Sequence, residues 1–259
     1  LQSSTAKAAL EHLNAIVLEQ GYPVETRLLA LWALGGRGSV DPSLLQSSLQ
    51  SNEPSIRAWA VRLAGQQRCK EPSIEAAVRK LAQDKDPRVR IEVIIAARKL
   101  CNNGALDCIV DALRHSQEDP ILPRVAWQNF HDLLPHHDLQ IFTALSDPSL
   151  PLQSPLRSMS ARIAQRILNE VDPEVRRKED QERLQRVLHF TNEVKSIDSN
   201  IAADVIEDLV TRLQNQDLKL NASRKILKGW LESVGREPAT HASDWDVQIL
   251  NLSVLMQDY

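Results

Sequence analysis

Asp86-Pro87-Arg88-Val89-Arg90-Ile91-Glu92-Val93 decides the fold of this chain, because three further segments repeat its pattern in phase. They are Pro23-Val24-Glu25-Thr26-Arg27-Leu28-Leu29-Ala30, Glu53-Pro54-Ser55-Ile56-Arg57-Ala58-Trp59-Ala60 and Asp119-Pro120-Ile121-Leu122-Pro123-Arg124-Val125-Ala126. The prolines at 23, 54, 87 and 120 are spaced by 31, 33 and 33 residues, and the arginines at 27, 57, 90 and 124 by 30, 33 and 34. A fixed period of this length marks stacked supersecondary units rather than a single closed core.

Each segment continues as an amphipathic helix. After Arg27 the apolar set is Leu28, Leu31, Trp32 and Leu34; after Arg57 it is Trp59, Ala60, Leu63 and Ala64. After Arg90 it is Val93, Ile94, Ala96, Ala97 and Leu100, at helical spacing again. Further helices are expected near 5–19, 42–50, 72–83 and 104–114, so one unit is helix, turn, helix, turn.

The turns support this. Eight of the 13 prolines follow an acid: at 42, 54, 72, 87, 120, 148, 173 and 238. Aspartate before a first-turn proline accepts from orphan backbone N–H groups, and proline at that position gives up no needed donor. Glutamate caps less well, so Glu53, Glu71 and Glu237 act mainly through the helix dipole. Gly35, Gly36, Gly38, Gly65 and Gly104 are read as hairpin ends.

Composition agrees with helices. Of 259 residues 42% are hydrophobic, mostly Ala and Leu, aromatics are 4%, and there are 8 glycines, a poor balance for a β-sandwich or barrel. The net charge of −3 offers no general attraction to nucleic acid or anionic membranes. No apolar run reaches the ~20 residues of a membrane span. Cys69, Cys101 and Cys108 lack metal or haem spacing, and the last two read as buried small hydrophobes. Leu1-Gln2-Ser3-Ser4 has no signal-peptide pattern, and an opening without Met suggests a processed protein or a piece of a longer one.

Asp86-Pro87-Arg88-Val89-Arg90, opening a helix in a repeat of this length, resembles the second helix of a HEAT repeat. Glu53-Pro54-Ser55-Ile56-Arg57 is similar, and Asp172-Pro173-Glu174-Val175-Arg176 returns to the motif. The resemblance implies an all-α, right-handed α-solenoid of helical hairpins. It also implies a structural ladder in which Arg27, Arg57, Arg90 and Arg124 link neighbouring hairpins. The five donors of a guanidinium suit that role without any analogy.

A narrower resemblance rests on Arg27-Leu28-Leu29-Ala30-Leu31-Trp32-Ala33-Leu34-Gly35-Gly36. This run is similar to the HEAT segment of large planctomycete and verrucomicrobial envelope proteins, which join a dehydrogenase-like propeller, helical repeats and a cytochrome module. It covers about residues 20–70 and implies a bacterial envelope or periplasmic location; otherwise a cytoplasmic one is expected. The chain has no CxxCH haem site.

The regular repeats are assigned to 1–146. Residues 147–259 are read as degenerate repeats or a helical cap, stacked on the rest or forming their own bundle. Pro148, Pro151 and Pro155 break any helix there; helices follow near 156–171, 199–215, 217–233 and 243–257. The charged run 176–183 reads as a solvated, salt-bridged helix turn.

Catalytic motifs are absent: there is no GxGxxG, P-loop, GxSxG or HExxH. His131-Asp132 and His136-His137-Asp138 raise a metal site, but a polar helix-end loop explains them more simply than the His–Glu pairs of an iron-binding HEAT-fold hydroxylase. The other histidines, His12, His115, His189 and His241, are scattered.

The expected function is therefore a non-catalytic scaffold that needs no cofactor and holds a protein partner or flanking domains of its own polypeptide. Trp32, Arg62, Ile95 and Asn129 share one phase, five residues after each arginine, and with Arg98 form the candidate inner surface; Trp59 and Trp127 fall in the core phase. Two alternatives are carried. One is a nucleic-acid binder similar to HEAT-like DNA-repair glycosylases, needing Arg62, Arg98, Lys99 and Arg114 on one side. The other is a metal-dependent enzyme at His131 to Asp138.

Overall fold

The computed structural model describes residues 4–38, 40–116, 119–234 and 243–257. Glu237-Pro238 and His241 lie outside them. All regular structure among the described residues is helical, and the fold is an all-α solenoid of helical hairpins. Contacts divide the chain into two compact units, 1–130 and 131–259.

The first unit holds α1 (Ser4–Leu18), α2 (Val24–Gly35), α3 (Pro42–Leu49), α4 (Pro54–Gln67), α5 (Pro72–Lys80), α6 (Pro87–Leu100), α7 (Ala105–Arg114) and α8 (Leu122–Phe130). The second helices α2, α4, α6 and α8 touch in succession, and the first helices α1, α3 and α5 do likewise. Leu31, Leu45, Ile56, Ile74, Ile94 and Ile109 are fully buried between the two rows. Each such side chain contributes roughly 1.5–3 kcal/mol of burial. A stack of hairpins thus shares one seam.

The acid–proline pairs divide by chemistry. Asp41 and Asp86 accept from the N–H groups of Ser43 and Arg88, and Asp119 accepts from Ile121 and Leu122. Glu53 and Glu71 precede helices equally well but make no side-chain cap. Their extra methylene places the carboxylate beyond the N2 amide.

Gly65 does not end a hairpin. It lies buried within α4, where an added Cβ would meet the Ala96 Cβ at 3.0 Å, so it permits the close approach of α6. The hairpin ends instead at Arg68, in the left-handed region at φ 51°, where the Cys69 N–H reaches the Ala64 carbonyl.

Arginines close the turns. Arg57 Nη1 donates to the carbonyls of Ser51 (2.8 Å) and Asn52 (3.1 Å) in the turn just before its own helix. Its other edge forks onto the Asp84 carboxylate of the next hairpin, at 2.7 and 2.8 Å. Arg90 repeats the arrangement: Nη1 donates to the Asp84 and Lys85 carbonyls, and Nε donates to Ser116 Oγ at 2.9 Å. Arg27, buried, donates from Nε to the Val17 carbonyl. Arg124 is exposed on α8. The fork from Asp84 raises the Arg57 pKa, whereas burial lowers that of Arg90.

The second unit holds α9 (Asp138–Leu145), α10 (Pro155–Ser158), α11 (Ser160–Leu168), α12 (Lys178–Lys195), α13 (Ser199–Gln214), α14 (Leu220–Val234) and α15 (Asp244–Gln257). Within this unit α9 packs against α12. The proline loop 147–154 folds around Arg157, only 2% exposed, which donates to the carbonyls of Leu145, Asp147 and Leu150. On α15, Trp245, Leu252 and Met256 are buried, while Val247, Leu250 and Val254 are exposed.

Two expectations are corrected here. Asp172-Pro173-Glu174-Val175-Arg176 opens no helix: Val175 sits buried at φ 46°, and the segment is a turn pinned by the bond from Lys219 N–H to the Pro173 carbonyl. The charged run is also not wholly solvated. Asp180 and Arg183 are buried, with Arg183 donating to Glu179 and the Pro135 carbonyl, and Asp180 gripped by Arg177 at 2.7 and 2.8 Å. Long charged side chains fill that interior because each finds a partner.

Two outcomes follow from these bonds. Arg57→Ala strands the part-buried Ser51 carbonyl and the shielded Asp84 carboxylate, so urea unfolding should register a loss of about 2–4 kcal/mol; Arg88→Ala, at the exposed pair with Asp86, should cost less than about 1 kcal/mol. The Arg177 fork holds the Asp180 carboxyl below its ordinary value. Its contribution is complete above the unfolded value of about 4 and fades as pH falls through the lower folded value. Asp180→Asn should therefore destabilise at pH 7, with the gap to wild type closing toward pH ~3; an equal gap at both pH values refutes the assignment.

Candidate interaction surface

The second helices of the first unit present a row of partly exposed side chains that the hairpin packing does not consume. Trp32 on α2 remains 43% exposed. Its ring meets Trp59 of α4 with centroids 5.0 Å apart and planes tilted by 55°. The Arg62 guanidinium, one turn further along α4, lies 4.6 Å above the centre of the Trp59 ring. It also forks onto Glu92 of α6, with Nε to Oε2 at 3.1 Å and Nη2 to Oε1 at 2.5 Å. One connected chain, Trp32, Trp59, Arg62, Glu92, therefore crosses three successive hairpins.

Trp59, expected to pack in the core phase, is part-buried, packed between the Trp32 ring and the Arg62 guanidinium. Ile95 extends the row on α6, 36% exposed, and Asn129 on α8 is half-buried and donates to the Val125 carbonyl. Trp127 packs edge-on against Phe130 at 6.1 Å. Arg98 and Lys99 are exposed near the end of α6, and Arg98 and Arg114 are both engaged in interactions. The positive charge of Arg62 is met by Glu92, which removes it from any free basic strip.

Glu92 escaped notice in the sequence, although a signal existed. It is an acid between Val89 and Val93, in a buried stretch, one repeat beyond Arg62. A carboxylate in that position needs a cation, and the neighbouring hairpin supplies one. The cation–π contact adds about 0.5–1 kcal/mol and fixes the ring plane.

The histidine segment has other work. Asp138, the best-placed carboxylate there, accepts from Arg186 at 2.7 Å, pairs with Arg183 at 3.6 Å and caps the Leu139 N–H. His131 Nε2 lies 2.9 Å from Asp132. Among the described residues no group of three His, Cys, Asp or Glu side chains is placed to hold a metal ion. Cys101 and Cys108 are buried with their sulfurs 3.0 Å apart, the Cys108 thiol donating. That bond lowers the Cys101 pKa and, with burial, raises that of Cys108. No described helix is long and apolar enough to cross a membrane.

Comparison with known proteins places part of this architecture. The sequence model of a family described as HEAT repeats matches residues 42–127, about a third of the chain, from the start of α3 into α8. No curated protein matches the chain.

The row separates residues that stabilise from residues that are available. Arg62→Ala leaves Glu92 shielded without its partner and should lower stability by about 1–3 kcal/mol in urea unfolding followed by circular dichroism. Trp32→Ala should cost under about 1 kcal/mol, because nearly half of that side chain already faces water. A reversed ranking would show that Trp32, not Glu92, anchors the row.

Proposed function

We propose that this chain is a non-catalytic helical-repeat scaffold for protein–protein or interdomain contact, and that a partner docks on the row formed by Trp32, Trp59 and Ile95. HEAT repeats, matched over residues 42–127, generally act as protein-interaction scaffolds. The observation that carries the reading to a site is the indole pair. An exposed tryptophan backed by a second ring, itself clamped by Arg62 and Glu92, is held ready for contact before any partner arrives. Pre-ordered aromatic anchors of this kind lose little rotamer freedom on binding and dominate many interfaces.

The interdomain variant draws on the likeness of Arg27 to Gly36 to the helical segment of multidomain envelope proteins. In that variant the occupant is another part of the same polypeptide. Both variants use the same face, and neither asks for a metal or a cofactor.

A photo-crosslinking residue placed at position 32 or 95 should capture the partner, whereas one at Leu139, exposed in the second unit, should not. Trp32→Ala should weaken the captured complex by about 2 kcal/mol or more, roughly thirtyfold, with the circular dichroism spectrum unchanged. A complex indifferent to position 32 and to Trp32→Ala removes the basis of the reading.

A further inference from the structure

Two buried thiols meet where α6 gives way to α7. Cys101 is the residue that closes α6, and Cys108 lies in the first helical residues of α7, with the tight turn Asn102–Gly104 between them. Both side chains are buried and their sulfurs are 3.0 Å apart. Packing alone asks for a small apolar side chain at each place, and Ala97 and Ala112 supply that elsewhere in the same two helices. Contact between two sulfurs adds a chemistry that packing does not require. A disulfide bond is about 2 Å long, so an approach of about 1 Å would complete one.

A cation stands at the same turn. Arg79 of α5 donates from Nη2 to the Cys101 carbonyl at 2.9 Å, while Nε and Nη2 both grip Glu75. The Gly104 N–H donates to the same carbonyl at 2.7 Å. A Cβ added at Gly104 would run into the Arg79 guanidinium, so glycine leaves that group its room against the turn. The charged groups acting on the pair are Arg79 and Glu75 from α5 and Asp111 from α7. The bond from the Cys108 thiol and the positive charge of Arg79 favour a thiolate on Cys101, against burial and Glu75. Thiolate is the reactive form of the sulfur. Enclosure selects the reagent: neither sulfur is open to a bulky oxidant, whereas hydrogen peroxide is little larger than water and enters when the turn loosens.

We propose that Cys101 and Cys108 are a redox-active dithiol that a small peroxide converts to an intramolecular disulfide, with Cys101 as the attacking thiolate and Arg79 as the group that holds it charged. The Cys101 sulfur attacks one peroxide oxygen: the S–O bond forms, the O–O bond breaks, and the released hydroxide takes a proton from solvent. The Cys108 sulfur then displaces the hydroxyl from the Cys101 sulfenic acid, and the Cys108 proton leaves with it as water. The thiols lose two electrons in all, the peroxide is reduced to two waters, and α6 is tied to α7. This site does not rest on the aromatic row.

The test uses the full chain carrying Cys69→Ser, reduced and then treated with hydrogen peroxide under native conditions. Its mass should fall by two hydrogens and return with dithiothreitol. Trypsin leaves both cysteines in the peptide 100–114, so further cleavage before Asp107 should give fragments that part only on reduction. The oxidised chain should melt about 5 °C higher, because the bond closes a short loop in the unfolded state. Cys108→Ala should lose both responses. Arg79→Gln should move the pH midpoint of the oxidation rate upward by about half a unit or more. Gain of oxygen without loss of two hydrogens, a disulfide between chains, an unchanged melting temperature or an unmoved pH midpoint would each overturn the proposal.

Discussion

A hairpin repeat must end one helix and begin the next within a few residues, and carbonyls of that turn lie partly shielded beside the neighbouring repeat. A buried carbonyl left unpaired would cost about 1–3 kcal/mol. Arg57 and Arg90 answer this by reaching back five or six residues to the carbonyls of their own turn and sideways to the next hairpin. Arg157 does the same service for the proline loop with three carbonyls at once. One guanidinium thereby satisfies the turn and sets the offset between repeats. The rest of the stack, including the close passage of Gly65 against Ala96, depends on that offset being held.

That dependence explains which parts of the fold could be read in advance. The period of prolines and arginines in the first half reports the same constraint repeated, so helix order there follows from residue spacing. In the second half the constraint is met by different means. Arg157 precedes no recognisable motif, and Arg183 reaches its carbonyl partner Pro135 across a gap of many residues, so neither leaves a local trace. The Asp172-Pro173 motif misleads because Val175 takes a left-handed backbone that only its buried surroundings justify.

The site is legible to a lesser degree. Phase alone puts Trp32, Arg62, Ile95 and Asn129 in one row, because all four sit at the same distance from a repeat landmark. Phase marks Trp59 as a packing residue but cannot foresee that its partners are Trp32 and Arg62, since those contacts come from neighbouring hairpins and the next turn of α4. Nor can it foresee that Arg62 is spent on Glu92. A charged pair between adjacent hairpins is a tertiary fact, and its effect is to convert a candidate basic strip into a rigid support for aromatic rings.

The three thiols differ enough in setting to be useful. Cys101 and Cys108 are enclosed and occupied with each other, while Cys69, beside the αL residue that ends α4, is half-exposed. Being the accessible one of the three, Cys69 is where a maleimide would attach in preference; burial and Glu71 raise its pKa, so the reaction is slowed near neutrality and quickens under mildly alkaline conditions. The native chain thus comes with its own single attachment point for a dye or spin probe, close to the hairpin that bears Trp59.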